Sequence, residues 1–102
     1  MSLTVGANPS TQTLRPGDIL RIYCSVVGPP PYSIKWSKVN GALSASAVEE
    51  DGFLEVVSVT ASDGGHYRCR ATNDAGYSDA FAEVVILGKT VFSGFTVYNS
   101  DN

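Results

Sequence analysis

The stretch Asp63-Gly64-Gly65-His66-Tyr67-Arg68-Cys69-Arg70-Ala71-Thr72 decides the fold. From Gly65 onward it alternates, with Tyr67, Cys69 and Ala71 on one side and His66, Arg68 and Arg70 on the other. That is the two-residue period of a half-buried strand. The same period recurs upstream, where Leu20, Ile22, Cys24 and Val26 share a face against Arg21, Tyr23 and Ser25. Between these segments, Ile34 and Trp36 face inward with Lys35 and Ser37 outward, and Leu54, Val56 and Val59 form another apolar series. Downstream, Ala82, Val84 and Ile86 oppose Phe81, Glu83, Val85 and Leu87.

Turn residues punctuate the strands. Asn8-Pro9-Ser10 breaks a first edge strand into halves at Leu3–Val5 and Gln12–Leu14, because proline cannot donate to a ladder. Arg15-Pro16-Gly17-Asp18, Asn40-Gly41 and Asn73-Asp74-Ala75-Gly76 are tight turns, and Gly28-Pro29-Pro30-Pro31 is a stiff crossing between sheets. The small, polar segment Ala42–Asp51 is expected to hold one or two short edge strands. No stretch carries helical periodicity, so the chain reads as all-β.

At 102 residues and 43% apolar content the chain fits one soluble globular domain with a single core. A net charge of −3 and a pI near 4.8 give no drive toward nucleic acid or anionic membrane. No apolar run approaches the roughly 18 residues of a spanning helix. The polar residues after Met1 lack the pattern of a signal peptide, so the sequence reads as a piece of a longer protein, with Met1 and Ser2 as candidate cloning residues.

Cys24 and Cys69 lie 45 positions apart. Zinc ligands come in close pairs, and the one histidine is His66, so a metal site is the weakest reading. A disulfide is favoured over free thiols. Closing so long a loop restricts the unfolded chain by about 4 kcal/mol in the entropy model, and it implies an oxidising compartment.

Two cysteines bracketing one tryptophan, with a tyrosine two residues before the second cysteine, resemble the marks of an immunoglobulin sandwich. The 32 residues from Ser37 to Arg68 have room for two strands but not for the two more of a variable-type domain. Together with Ala71 and the turn after it, this is similar to the I-set immunoglobulin modules, over Leu14–Leu87. The resemblance implies a two-sheet antiparallel immunoglobulin-like β-sandwich with Greek-key connections and one inter-sheet disulfide, Cys24 to Cys69. It also implies that Trp36 packs against the bridge and that Tyr67, Asp63 and Gly65 build a structural corner. The domain is expected to span residues 1–87. Residues 88–102, with Val91, Phe92, Phe95, Val97 and Tyr98, form an extension that serves as linker, starts a next module, or derives from cloning. The segments Ile34–Gly76 and Ala80–Ile86 are similar, more narrowly, to tandem immunoglobulin modules of basement-membrane heparan sulfate proteoglycans.

That family implies a non-catalytic spacer and docking module, secreted into extracellular matrix, whose partners are matrix or cell-surface proteins. The tandem immunoglobulin domains of adhesion receptors and the intracellular modules of titin-like muscle proteins bear the same marks. Nothing in the sequence calls for a cofactor, and no nucleophile, acid and base gather as an enzyme requires. Glu49-Glu50-Asp51 falls short of the six or more oxygens of a calcium loop and reads as solvated. The candidate partner-binding face is the outward side of three strands: Lys35 from one, Arg68 and Arg70 from the next, and Phe81, Glu83 and Val85 from the last. Arginine and aromatic side chains are enriched at interfaces. The competing reading has Arg68 and Arg70 paired with Glu83 across the strands. The domain is expected to be monomeric, with self-association through the tail as an alternative.

Overall fold

Every alternating stretch folds as a strand in a computed structural model that describes residues 2–100, the side chains of 89–92 and 100 excepted. In chain order the strands are β1 (Thr4–Asn8), β2 (Thr11–Leu14), β3 (Leu20–Val27), β4 (Ser33–Lys38), β5 (Val48–Glu50), β6 (Phe53–Val56), β7 (Gly65–Asn73), β8 (Gly76–Phe92) and β9 (Phe95–Ser100). One sheet has the order β1-β3-β6-β5, the other β2-β8-β7-β4, and β9 pairs with β8. Only β5 and β6 lie between Trp36 and Cys69, as the residue count requires.

One expectation fails. The sheets are not wholly antiparallel, because β2 runs parallel to β8, with Thr11 opposite Glu83 and Leu14 opposite Ile86. The break at Asn8-Pro9-Ser10 permits this. It moves the chain from β3 in one sheet to β8 in the other without reversing it, and Glu83 donates its N–H to Ser10 C=O at 2.8 Å at the crossing.

The core lies between the two sheets. Leu20, Ile22, Cys24, Trp36, Leu54, Val56, Val59, Tyr67, Cys69, Ala82, Val84 and Ile86 form one buried cluster, each on the inward side that its alternation assigns. Cys24 and Cys69 are bonded across it, their Cα atoms 6.2 Å apart. Trp36 is the direct partner of Cys69 in the β4–β7 register, which sets the indole beside the bridge. Its Nε1–H donates to Gly52 C=O at 2.8 Å, and Cys24 N–H donates to the same oxygen at 2.8 Å. Gly52 sits at φ +88°, and a Cβ there would stand 2.9 Å from Cys24 C=O, so the turn between β5 and β6 admits no side chain at this point.

The corner before β7 is built as its residues imply. A 3₁₀ turn covers Ala61–Asp63, and the buried Asp63 accepts the Thr60 N–H on Oδ2 at 2.8 Å. Its backbone carbonyl accepts the Tyr67 hydroxyl at 2.6 Å. Gly65 opens β7 at φ +130°. At the far end, β8 continues past Leu87 and turns back at Ser93-Gly94 into β9, so the strand itself bridges the two parts of the chain divided above. Arg15 lies 4.6 Å above the Tyr98 ring at the base of this ribbon, while Phe95 and Val97 are exposed. Met1, Asp101, Asn102 and the side chains of Val91 and Phe92 lie outside the described residues.

Burial, and next the Asp63 carboxylate, push the Tyr67 phenol up to about 12. The folded state therefore favours the protonated ring. Its stabilisation is complete below the ordinary tyrosine value of about 10 and is lost as the pH rises toward about 12. Denaturant unfolding should show wild type losing about 2 kcal/mol at a pH of about 11.5 that Tyr67→Phe does not lose. Equal alkaline loss in both proteins would refute this.

Candidate partner-binding face

The outward side of the β2-β8-β7-β4 sheet is arranged by the short turn between β7 and β8. Asn73 Oδ1 accepts the N–H groups of Ala75 at 2.9 Å and Gly76 at 3.1 Å, so Asn73 pairs with Gly76 and every later pair follows. Arg70 falls opposite Asp79, Arg68 opposite Phe81, and His66 opposite Glu83. On the other flank Lys35 is opposite Arg70, and Ser37 opposite Arg68.

This register corrects the pairing of both arginines with Glu83. Glu83 instead meets His66, with Nε2 and Oε2 3.5 Å apart. Arg70 holds Asp79 through two parallel bonds, Nε to Oδ1 at 2.8 Å and Nη2 to Oδ2 at 2.9 Å. Its guanidinium also lies 3.7 Å over the Tyr77 ring. The hydrogen bonds from Arg70 hold the Asp79 carboxyl below the ordinary carboxylate range, and those to Asp79 raise Arg70. Arg68 donates to Ser37 Oγ at 3.2 Å and has no ion-paired carboxylate among the described residues. Beside it Phe81 is 53% exposed and Tyr77 61%.

Lys35, Arg68, Arg70, Phe81 and Glu83 thus share one face, as their alternation implies. Tyr77 and Asp79 complete it and were legible by the same rule, since β8 begins at Gly76 and both share the parity of Phe81. Glu49 was not legible. Its carboxylate accepts the backbone N–H of Trp36 on Oε2 at 2.7 Å and the Lys35 ammonium on Oε1 at 3.4 Å. It therefore caps the free edge of β4 from the opposite sheet, which corrects the solvated reading of this residue.

Comparison with known families places the chain. The model of the family described as "Immunoglobulin domain" matches residues 2–73. The chain belongs to the immunoglobulin family. Among curated relatives, this immunoglobulin domain is 33% identical to the mouse basement membrane-specific heparan sulfate proteoglycan core protein over 80% of its length. It is 30% identical to chicken protein sidekick-1 over 92% of its length, and 35% identical to Xenopus laevis cell adhesion molecule 4 over 82%. It spans 2%, 4% and 22% of those proteins. Among solved structures, it superimposes on the ectodomain of mouse nectin-like molecule 4 with a TM-score of 0.73 at 30% identity, covering 83% of this chain and 30% of that one. The N-terminal four immunoglobulin domains of Dscam1 isoform 1.9 give 0.72 at 28% identity, covering 82% and 20%. Two of these relatives are by name a basement-membrane protein and a cell adhesion molecule.

The Arg70 bonds stabilise the folded chain while the Asp79 carboxyl is ionised. This contribution is present above the ordinary carboxyl value of about 3.9 and disappears as the pH falls through the lowered folded value. An NMR titration of the side-chain carboxyl should place the Asp79 midpoint below about 3.9, and Arg70→Gln should raise it. A midpoint at or above the ordinary value in wild type would contradict the pairing.

Proposed function

We propose that this domain is a non-catalytic interaction and spacer module of an extracellular multidomain protein of matrix or cell surface. In this reading it docks other proteins through the face carrying Arg68, Arg70, Tyr77 and Phe81. The carrying observation is the ordered guanidinium of Arg70, fixed by two bonds to Asp79 and stacked on Tyr77, beside the exposed ring of Phe81 and Arg68, which has no ion-paired carboxylate among the described residues. Side chains already held in place lose little conformational freedom on binding, and arginine and aromatic residues dominate the energetics of interfaces. Lys35 and Glu83 flank this centre as polar rim.

An extracellular location is supported by the Cys24–Cys69 bond, which needs an oxidising compartment, and by relatives in basement membrane and cell adhesion. Similarity to the proteoglycan core protein favours a matrix setting; that to cell adhesion molecule 4 favours an adhesion receptor. Either setting uses the same face. Cofactors, nucleic acid and membrane insertion have no part in it, and the module acts as a monomer within its array.

Immobilised basement-membrane proteins and immobilised cell adhesion molecule ectodomains are suitable probes. The wild-type domain should be retained, and the triple variant Arg68→Ser, Arg70→Ser, Phe81→Ser should lose at least about tenfold in affinity with its fold intact by circular dichroism. Retention of the triple variant equal to wild type would overturn the assignment of this face.

A further inference from the structure

Strand β3 outruns its neighbour. Its ladder with β6 pairs Leu20 with Val56 through Tyr23 with Phe53, and it closes where Cys24 N–H donates to Gly52 C=O at 2.8 Å. Beyond that bond β3 runs on to Val27, paired with β1 on one side and with no strand on the other among the described residues. Backbone groups of alternate residues in a ladder point to the same side. Val26, two residues past Cys24, therefore turns its N–H and C=O toward the side that β6 has left. A cleft of about 400 Å³ opens there, lined by Tyr23, Val26, Tyr32, Ser33, Ile34 and Asp51.

The lining has a definite chemistry. Its residues bring one backbone donor and acceptor pair, two tyrosines and an aspartate to the cleft. Asp51 stands at φ +47° in the turn whose next residue is Gly52, the oxygen of which is held by both Trp36 and Cys24, so its backbone position is fixed by the core. The Tyr23 ring lies 4.6 Å from that of Phe53, which is 57% exposed and continues an apolar surface away from the cleft toward Val48.

We propose that this cleft takes a short extended segment of a partner protein bearing a lysine or arginine. The segment adds one rung to β3 by pairing with Val26, its cationic side chain meets Asp51 beside the faces of Tyr23 and Tyr32, and a neighbouring apolar side chain covers Phe53. Strand addition supplies affinity that is independent of sequence, and the carboxylate and phenols select for positive charge. The site shares no residue with the face of Arg68 and Phe81 and stands whether or not that face binds.

The test is a heteronuclear NMR titration of the ¹⁵N-labelled domain with the blocked peptide acetyl-Thr-Val-Lys-Val-Thr-amide and with its Lys-to-Glu counterpart. The lysine peptide should shift the amides of Val26, Ser33, Ile34 and Gly52 and slow hydrogen exchange at Val26. Asp51→Asn keeps a residue that tolerates positive φ and should weaken the lysine peptide at least about fivefold, with the Trp36 indole signal unmoved. The variant altered at Arg68, Arg70 and Phe81 should bind the peptide as wild type does. Absence of these shifts, equal shifts from the glutamate peptide, or undiminished binding by Asp51→Asn would overturn the proposal.

Discussion

The fold depends on one carbonyl oxygen. Gly52 C=O receives the indole N–H of Trp36 from one sheet and the backbone N–H of Cys24 from the other, at the level where the disulfide crosses between them. A fully buried tryptophan brings a large apolar surface into the core, and its N–H costs about 1–3 kcal/mol if left without a partner there. Gly52 removes that cost and in the same contact ends the β3–β6 ladder. Its positive φ and the 2.9 Å approach of a hypothetical Cβ to Cys24 C=O explain why glycine alone fits.

The exposed face inherits its order from this core. Trp36 fixes β4 against β7 through its pairing with Cys69, and Asn73 fixes β7 against β8, so the outward residues of three strands stand in set rows. Glu49 then covers the edge of β4 at Trp36 itself. A strand edge with free backbone groups invites unwanted pairing, and a carboxylate fastened by Lys35 blocks it at this point. Rigid rows carrying arginine, tyrosine and phenylalanine suit the docking role proposed for this face.

Much of this was legible in the residues. Alternation assigned the inward side of β3, β4, β6, β7 and β8, and the spacing of Cys24, Trp36, Tyr67 and Cys69 identified the sandwich. What escaped has a common physical origin: it depends on register or on contacts between sheets, and the two-residue period carries neither. Alternation places Arg70 and Glu83 on one face, yet only the turn at Asn73 reveals that Asp79 is the partner of Arg70. Glu49 resembles its acidic neighbours in sequence, and its bond to Trp36 exists because its side chain reaches from the edge strand of one sheet to that of the other. The parallel pairing of β2 follows from a change of sheet that the break at Pro9 permits but does not dictate.

Hydrogen exchange at the Trp36 indole Nε1–H probes the central contact most directly. If Gly52 C=O joins the two sheets at the heart of the core, this proton exchanges only through global unfolding, and its exchange free energy equals that from denaturant unfolding of the same protein. Exchange through a smaller opening, with β3 and β7 amides still protected, would contradict a sandwich held at that oxygen.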